Sequence, residues 1–504
     1  MKLSTKGRYA VTAMVDIAAQ NSDSPISLSE ISKRQELPVQ YMEQLFGKLR
    51  KAELVISSRG LAGGYCLART ADNITIAQIV NAVDEPIRAT RCDPNTNIGC
   101  QTKTSRCLTH DLWAGLSDHI HGYLESITLE DLCSPNNNFV YLDHNATSPM
   151  RPSVKAAMTG AFEIYGNPSS IHGPGRKAKS AIEDAREIIA KSLGVENDRV
   201  IFTSGGTEAN NLALSWHGAD NTIRIIASTE HESVSKSNSQ TEVIPVLNNG
   251  LIDLEALKNT LAKLESSKKI IVSIMLANNE TGTIQPVKEV ADIAHSFGAY
   301  VHCDAIQAYL KSPFTVASLG VDSLAISAHK IGGPKGVGAL ILGPKIHISP
   351  IIHGGGQERG YRAGTENVIG IVGFGHAIKE NTDGNLAQLR DFMEESILAT
   401  HPETVIFGKD TPRLPNTSMI AMPGVTSQTQ VIKFDLERIA VSVGSACSSG
   451  KMKPSHVLKA MGVDEQIATC AIRVSLGWNT TKDDIIKFIN VWSSIFGQRQ
   501  GVAA

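Results

Sequence analysis

The chain has 504 residues, enough for roughly three folding units, and its 48 Lys and Arg against 50 Asp and Glu leave a formal net charge of -2. That balance excludes a protein that is a polyelectrolyte throughout, so any contact with nucleic acid has to come from a local patch. The eight cysteines are not spaced as a disulfide framework, no uninterrupted apolar run reaches membrane length, and Met1 to Arg8 lead into a helical pattern instead of a cleavable leader, so a cytoplasmic protein with free thiols is expected.

In chain order, apolar residues recur at helical spacing from Tyr9 to Ala19. Ser27 and Glu30 have the spacing of a capping box and open a second helix. Pro38 opens a third, Val39 to Ala52. Val55 to Leu67 reads as two short strands around Gly60 to Gly64, and three helices followed by a hairpin give the order of a winged helix-turn-helix. Residues 1–135 hold 14 Lys and Arg against 15 Asp and Glu. DNA affinity would therefore rest on a patch of Lys2, Lys6, Arg8, Lys33, Arg34, Lys48, Arg50, Lys51 and Arg59. Further on, Cys92, Cys100 and Cys107 crowd together with His110. Three thiolates and an imidazole suit a [2Fe-2S] cluster with one nitrogen ligand, or a Cys3His zinc site. Cys133 reads as a spare thiol. The polar run Ser134-Pro135-Asn136-Asn137-Asn138 marks a linker, which predicts a domain over 1–133, a linker over 134–138 and a second part over 139–504.

Past an apolar strand beginning at Phe139, β and α patterns alternate. Arg199 to Thr203 precedes a helix from Glu208; Ile223 to Ser228 and Lys269 to Ala277 read as strands; a helix over Val287 to Phe297 leads to the strand Tyr300 to Asp304. This predicts an α/β fold with a mostly parallel sheet over about 150–385, and a smaller subdomain over about 386–504 ending in a helix from Lys482 to Phe496. Thr203-Ser204-Gly205-Gly206-Thr207-Glu208 lies between a strand and a helix, where small residues expose backbone N–H groups to an anion. Asp304 closes an apolar strand, and Ser327-Ala328-His329-Lys330 runs into Gly332, Gly333 and Pro334. An amine for a Schiff base and a buried carboxylate for a ring nitrogen together point to pyridoxal phosphate. Arg473 sits in an apolar strand, where an unpaired guanidinium is costly. Its partner is a substrate carboxylate or an Asp or Glu of the chain itself. His231 reads as a ring-stacking histidine or a solvated loop residue, His302 and Cys303 as packing, and Cys66 and Cys470 as buried small hydrophobes. Cys447, between Gly444-Ser445-Ala446 and Ser448-Ser449-Gly450, reads as a mobile nucleophile.

From Tyr141 to about Gly477 the chain resembles cysteine desulfurases of the NifS/IscS group, which have the aspartate-aminotransferase fold (type I). The matching runs are Tyr141 to Thr147, Asn278 to Gly282, Gly354 to Thr365 and Gly444 to Gly450. The resemblance implies Lys330 as the Schiff-base lysine, Asp304 as partner of the ring nitrogen, Gln307 on the phenolic oxygen, and His231 stacked on the ring. It further implies Gly206, Thr207, Ser327 and His329 on the phosphate, Thr365 reaching the phosphate of a neighbouring subunit, and Asn279 and Arg473 orienting L-cysteine. Lys330 and His231 would carry protons, and Cys447 would take the sulfur as a persulfide and pass it to an iron-sulfur scaffold protein. Residues 1 to about 133 resemble iron-sulfur regulators of the IscR group, through Leu3 to Ala10, Tyr41 to Phe46, Leu49 to Ala52 and Arg59 to Tyr65. That resemblance implies Gln40, Glu43 and Gln44 facing the bases of a double-stranded operator, Arg59 in a minor groove, and Cys92, Cys100, Cys107 and His110 as cluster ligands. Both families form two-fold dimers, so a homodimer is expected. The alternative is a selenocysteine lyase or aminotransferase whose N-terminal module no longer binds DNA.

Overall fold

A computed structural model describes residues 5–20, 25–58, 63–83, 110–133, 139–215, 222–236, 241–264, 269–344, 346, 348–380, 384–444 and 455–500, with only the backbone of 110–111 and of 498–500. The chain divides into two compact units, Met1–Phe139 and Val140–Ala504. No helix among the described residues is long and apolar enough to cross a membrane.

The first unit runs α1 (Thr5–Ala19), α2 (Leu28–Gln35), α3 (Val39–Lys51), β1 (Val55–Ser58), β2 (Gly64–Leu67), α4 (Ile76–Ala82), α5 (His110–Glu125) and α6 (Leu129–Cys133). The capping box forms: the Ser27 amide donates to Glu30 Oε2 at 2.9 Å and the Glu30 amide donates to Ser27 Oγ at 3.3 Å. Met14, Ile31, Met42, Phe46, Leu49 and Ile79 are buried at its centre. Asp16 of α1 is buried and takes Arg34 Nη2 at 2.6 Å and Gln35 Nε2 at 2.7 Å from α2. Burial would raise the Asp16 carboxyl, but the bonds from Arg34 and Gln35 outweigh it and hold the group ionised. Arg34 is thereby paired within the unit while its side chain remains exposed at the surface. Cys66 is half-buried instead of buried, because β2 belongs to a two-stranded ribbon with one open face. Cys133 donates its thiol hydrogen to Val15 O at 3.6 Å.

The second unit opens with β3 (Val140–Tyr141), α7 (Pro152–Ala161), α8 (Gly173–Leu193), β4 (Val200–Thr203), α9 (Gly206–Leu214), β5 (Thr222–Ala227), α10 (Glu232–Ser235), β6 (Thr241–Ile244), α11 (Leu254–Ala262), β7 (Lys269–Met275), α12 (Val287–Ser296), β8 (Tyr300–Asp304), α13 (Val316–Leu319), β9 (Ser323–Ser327), β10 (Gly338–Leu342) and α14 (Val368–Lys379). Seven strands form one sheet in the order β4-β10-β9-β8-β7-β5-β6. Strands β6, β5, β7, β8 and β9 pair in parallel, and β10 is antiparallel to both β9 and β4. Six strands therefore point one way and their C-terminal ends share one edge, where ligands of such sheets gather. Ile225, Ile274, Val301, Leu324 and Ile326 are fully buried, as expected for strands covered on both faces. The remaining elements are α15 (Leu386–Thr400), β11 (Val405–Phe407), β12 (Thr417–Ala421), α16 (Ser427–Leu436), β13 (Ile439–Ala440), α17 (His456–Ala460), α18 (Glu465–Ala468), β14 (Ala471–Ser475) and α19 (Lys482–Gln500). They build a three-stranded sheet, β11-β12-β14, packed on Phe434, Phe488 and Trp492. The strand expected from Phe139 shortens to Val140–Tyr141 and pairs in parallel with β13.

Candidate active site

Where β8 and β9 end beside the start of α9, a cavity of about 310 Å³ is lined by Ala146, Gly206, Thr207, His231, Ser233, Met275, Ala277, Asn279, Asp304, Ile306, Gln307, Ser327, His329 and Lys330. Nine residues singled out from the sequence thus meet around one space. Thr365 is exposed and is not among the lining residues. Cys447, Cys92, Cys100, Cys107 and Arg59 lie outside the described residues, and for His110 only its place at the start of α5 is described. Gln40, Glu43 and Gln44 are exposed on α3, while Met42, Leu45, Phe46 and Leu49 are buried on its other side.

Lys330 follows β9 through a short 3-10 turn, Ala328–Lys330, and its Nζ donates to the carbonyls of Asn145 at 2.5 Å and Ala146 at 2.9 Å. Asp304 ends β8. Its Oδ1 accepts from the Ile306 amide at 3.0 Å and its Oδ2 from Asn210 Nδ2 at 2.7 Å. Asn210 Oδ1 then faces His302 Nε2 at 3.0 Å, and His302 Nδ1 faces Ser323 Oγ at 2.9 Å. Because the Asn210 amide nitrogen is spent on Asp304, its oxygen must accept, which puts the His302 proton on Nε2. Burial lowers the His302 imidazole to about 3, so the ring is neutral. His302, expected to be mere packing, therefore steers Asp304 through Asn210. Burial pushes the Asp304 carboxyl up, opposed by its two donors and by the charges of His231 and Lys330.

His231 precedes α10, and its Nδ1 accepts from the Ser233 amide at 3.1 Å. Burial holds its imidazole below the ordinary value against the pull of Asp304. Burial and the charges of Lys330, Lys335 and Lys311 lower His329 to about 4. Its Nδ1 lies 3.2 Å from Thr147 Oγ1. Of the two partners open to Arg473, the internal one is present: Nη2 meets Asp143 Oδ1 at 2.7 Å and Nη1 donates to Asn279 O at 3.0 Å. A substrate carboxylate would have to share or displace Asp143, since a guanidinium 2 % exposed does not stay unpaired.

Three observations test the fit of pyridoxal phosphate. Asp304 presents a buried carboxylate to the cavity, the demand of a protonated ring nitrogen. Ser327 Oγ is buried in the cavity wall without a hydrogen-bond partner, a donor waiting for an acceptor. Gly205, at φ 157° and ψ -179°, caps the nine-residue helix α9 with open space where a Cβ would stand, so backbone N–H groups and helix dipole face the same place as Ser327. The residues fit the group.

Several residues of the site were not singled out from the sequence. Asn145 and Lys311 bond to Gln307, while Asn210 reaches Asp304 across 94 positions. Glu230, beside His231, takes the Met275 amide on Oε1 at 2.7 Å while Oε2 is buried without a partner. Burial, with the nearby Asp304 charge, pushes its carboxyl well above the ordinary value, against the Met275 amide. Glu280 accepts from Ser455 Oγ, and burial raises it as well. Asn145 and Glu280 fall inside the matched runs; for Asn210 and Lys311 no local signal exists.

The class-V aminotransferase profile matches residues 140–488, and that of the iron-dependent transcriptional regulators matches residues 3–135. Cysteine desulfurase IscS of Dictyoglomus turgidum is 42% identical over 374 residues, 71% of this chain and 94% of that protein. A cysteine desulfurase of Cereibacter sphaeroides is 42% identical over 380 residues, 72% of this chain and 97% of that protein. Among solved structures, a NifS-like protein from Rickettsia africae superposes with a TM-score of 0.66 at 39% identity, covering 71% of this chain and 99% of its own. SspA in complex with cysteine superposes at 0.60 with 31% identity, covering 67% of this chain and 98% of its own. The chain thus belongs to the class-V aminotransferases as a pyridoxal-phosphate-dependent cysteine desulfurase, joined to an N-terminal domain of the iron-dependent transcriptional regulators.

Proposed function

We propose that the enzyme half converts L-cysteine to L-alanine with a persulfide on Cys447, supplying sulfur through a scaffold protein for iron-sulfur cluster assembly. The observation that carries the assignment of roles is the convergence of Lys330, Asp304, His231 and Asn279 on one cavity. Pyridoxal phosphate, when bound, supplies an electron sink that weakens the bond between substrate carbon and sulfur. Asp304 keeps the ring nitrogen protonated. Gly206, Thr207, Ser327 and His329 hold the phosphate, with Thr365 contributed to a neighbouring subunit in a homodimer. His231 stacks on the ring, and Gln307 donates to the phenolic oxygen. Arg473 binds the substrate carboxylate in exchange with Asp143, beside Asn279. The Lys330 amine takes the α-proton and returns one, with His231, which lines the same cavity, as second carrier. The Cys447 thiolate attacks the substrate sulfur: a sulfur-sulfur bond forms, the carbon-sulfur bond breaks, and its electron pair stays on carbon, where a proton completes alanine. Each turnover thus converts one cysteine and one thiol into one alanine and one persulfide.

For the N-terminal domain we read Cys92, Cys100, Cys107 and His110 as ligands of a [2Fe-2S] cluster, and Gln40, Glu43, Gln44 and Arg59 as contacts to a double-stranded operator. The exposed face of α3 supports this reading. The whole is a cytoplasmic fusion of a cluster-sensing regulator with the enzyme that supplies sulfide for such clusters. Replacing Cys447 by Ser separates this from the selenocysteine lyase or aminotransferase reading. Sulfide release from cysteine should fall to background while the visible cofactor band persists, and undiminished release would decide for the other chemistry.

A further inference from the structure

We infer that Lys311, which does not line the cavity, is a positioning residue that dictates which end of the Gln307 amide faces the cofactor. Its Nζ donates to Gln307 Oε1 at 3.2 Å and to Asn145 Oδ1 at 3.2 Å. Gln307 Nε2 in turn donates to the Asn145 carbonyl at 2.9 Å. An ammonium has only donors and a carbonyl oxygen only accepts. A reversed Gln307 amide would set NH2 against ammonium and carbonyl against carbonyl, so one orientation alone satisfies both contacts. The second hydrogen of Nε2 is then the donor left for the cavity that Gln307 lines. Asn145 is fixed by the same logic. Its Oδ1 also accepts from Asn416 Nδ2 at 3.1 Å, and its Nδ2 donates to Thr417 Oγ1 at 2.8 Å. Lys311 reaches both amides because the chain turns sharply before it: Leu310 adopts φ 60° and the Lys311 amide bonds back to Ala308 O at 2.9 Å. A left-handed leucine is a conformation the surrounding structure has to impose.

The inference rests on the reading that Gln307 donates to the phenolic oxygen. A donor there favours the anionic oxygen and disfavours a proton on the nitrogen that joins Lys330 to the cofactor. The test is a pH titration of the visible band in the cofactor-loaded full chain. Lys311→Met is expected to raise the midpoint by roughly one pH unit, and Lys311→Arg, which keeps the donor, to restore it. In a Gln307→Ala background, itself raised, Lys311→Met should add nothing, since the lysine acts through the amide. A full shift persisting in that background would reveal a direct effect of charge and overturn the inference, as would an unmoved midpoint in Lys311→Met beside a raised one in Gln307→Ala. An unmoved midpoint in Gln307→Ala would instead sink the role given to Gln307, and the inference with it.

Discussion

Asp304 receives its Oδ2 donor from Asn210, and Asn210 is held the right way round by a neutral His302. Hydrogen bonds to charged groups are worth about 1.5–3 kcal/mol, so Asn210→Leu is expected to weaken cofactor binding by at least about tenfold. Equilibrium titration of the apoprotein followed by absorbance measures this, and unchanged affinity would leave Asn210 a packing residue. His302 also makes stability depend on pH. Its folded value, about 3, lies below the ordinary 6.5, so between these values the unfolded chain binds the extra proton and stability falls as pH falls. The loss should begin near pH 6.5 and run at about 1.4 kcal/mol per pH unit. Burial raises Glu230 and Glu280, which act with the opposite sign because the folded state binds their protons first. The clean observable is therefore the difference between the wild-type and His302→Gln profiles in denaturant, which should carry the histidine slope alone. Lys330 and Asp304 were legible because the cofactor demands an amine and a carboxylate in recognisable settings. The chain from Ser323 to Asp304 was not, since its members come from β8, β9 and α9 and only the sheet brings them together.

At the level of elements, the run Gly354 to Thr365 was recognisable only by resemblance, and its backbone explains why it needs support. Glu358 and Arg359 adopt φ 42° and 57°, a left-handed pair that costs on the order of 1–2 kcal/mol per residue. The support is Arg186 of α8, whose Nη1 and Nη2 meet the two Glu358 oxygens at 2.9 and 2.8 Å, while Oε2 also takes the Phe202 amide of β4 at 2.8 Å. Farther along, Arg362 Nε meets Glu208 Oε1 in the first turn of α9 at 2.9 Å, which ties the segment to the helix whose start lines the cavity. Both Arg186 and Glu358 are buried. Removing one partner strands a charge, so Glu358→Ala should destabilise by about 3–5 kcal/mol, whereas the apolar pair Arg186→Met with Glu358→Leu should recover much of that loss. Chemical denaturation of the three proteins checks it, and a double variant no better than the single would show that the turn needs the carboxylate for the Phe202 amide alone. Strand direction was the other illegible feature. Gly338–Leu342 is buried at every position, and such a pattern reads identically along and against the sheet, so only the short return from β9 makes β10 antiparallel.

At the scale of the whole molecule, the change of composition at 134–138 lies next to the division between Phe139 and Val140. A polar run between apolar patterns is as plain in sequence as any feature of this chain. Each unit has its own buried cluster, Met14, Met42 and Phe46 in the first and Val301, Ile326 and Phe374 in the second. Cooperativity follows shared core, so calorimetry of the full chain is expected to show two transitions. With the site proposed above, pyridoxal phosphate would bind only the folded second unit, because Asp304, Lys330 and the start of α9 come together around one cavity there. At a hundred times its dissociation constant it should stabilise that unit by about 2.7 kcal/mol and leave the other unmoved. The shift produced by cofactor should shrink when Asp304 is changed to Asn, while the other transition keeps its midpoint. If both transitions instead move together with cofactor, the two halves are energetically coupled; by reciprocity a ligand of the first unit would then alter the affinity of the second for its cofactor.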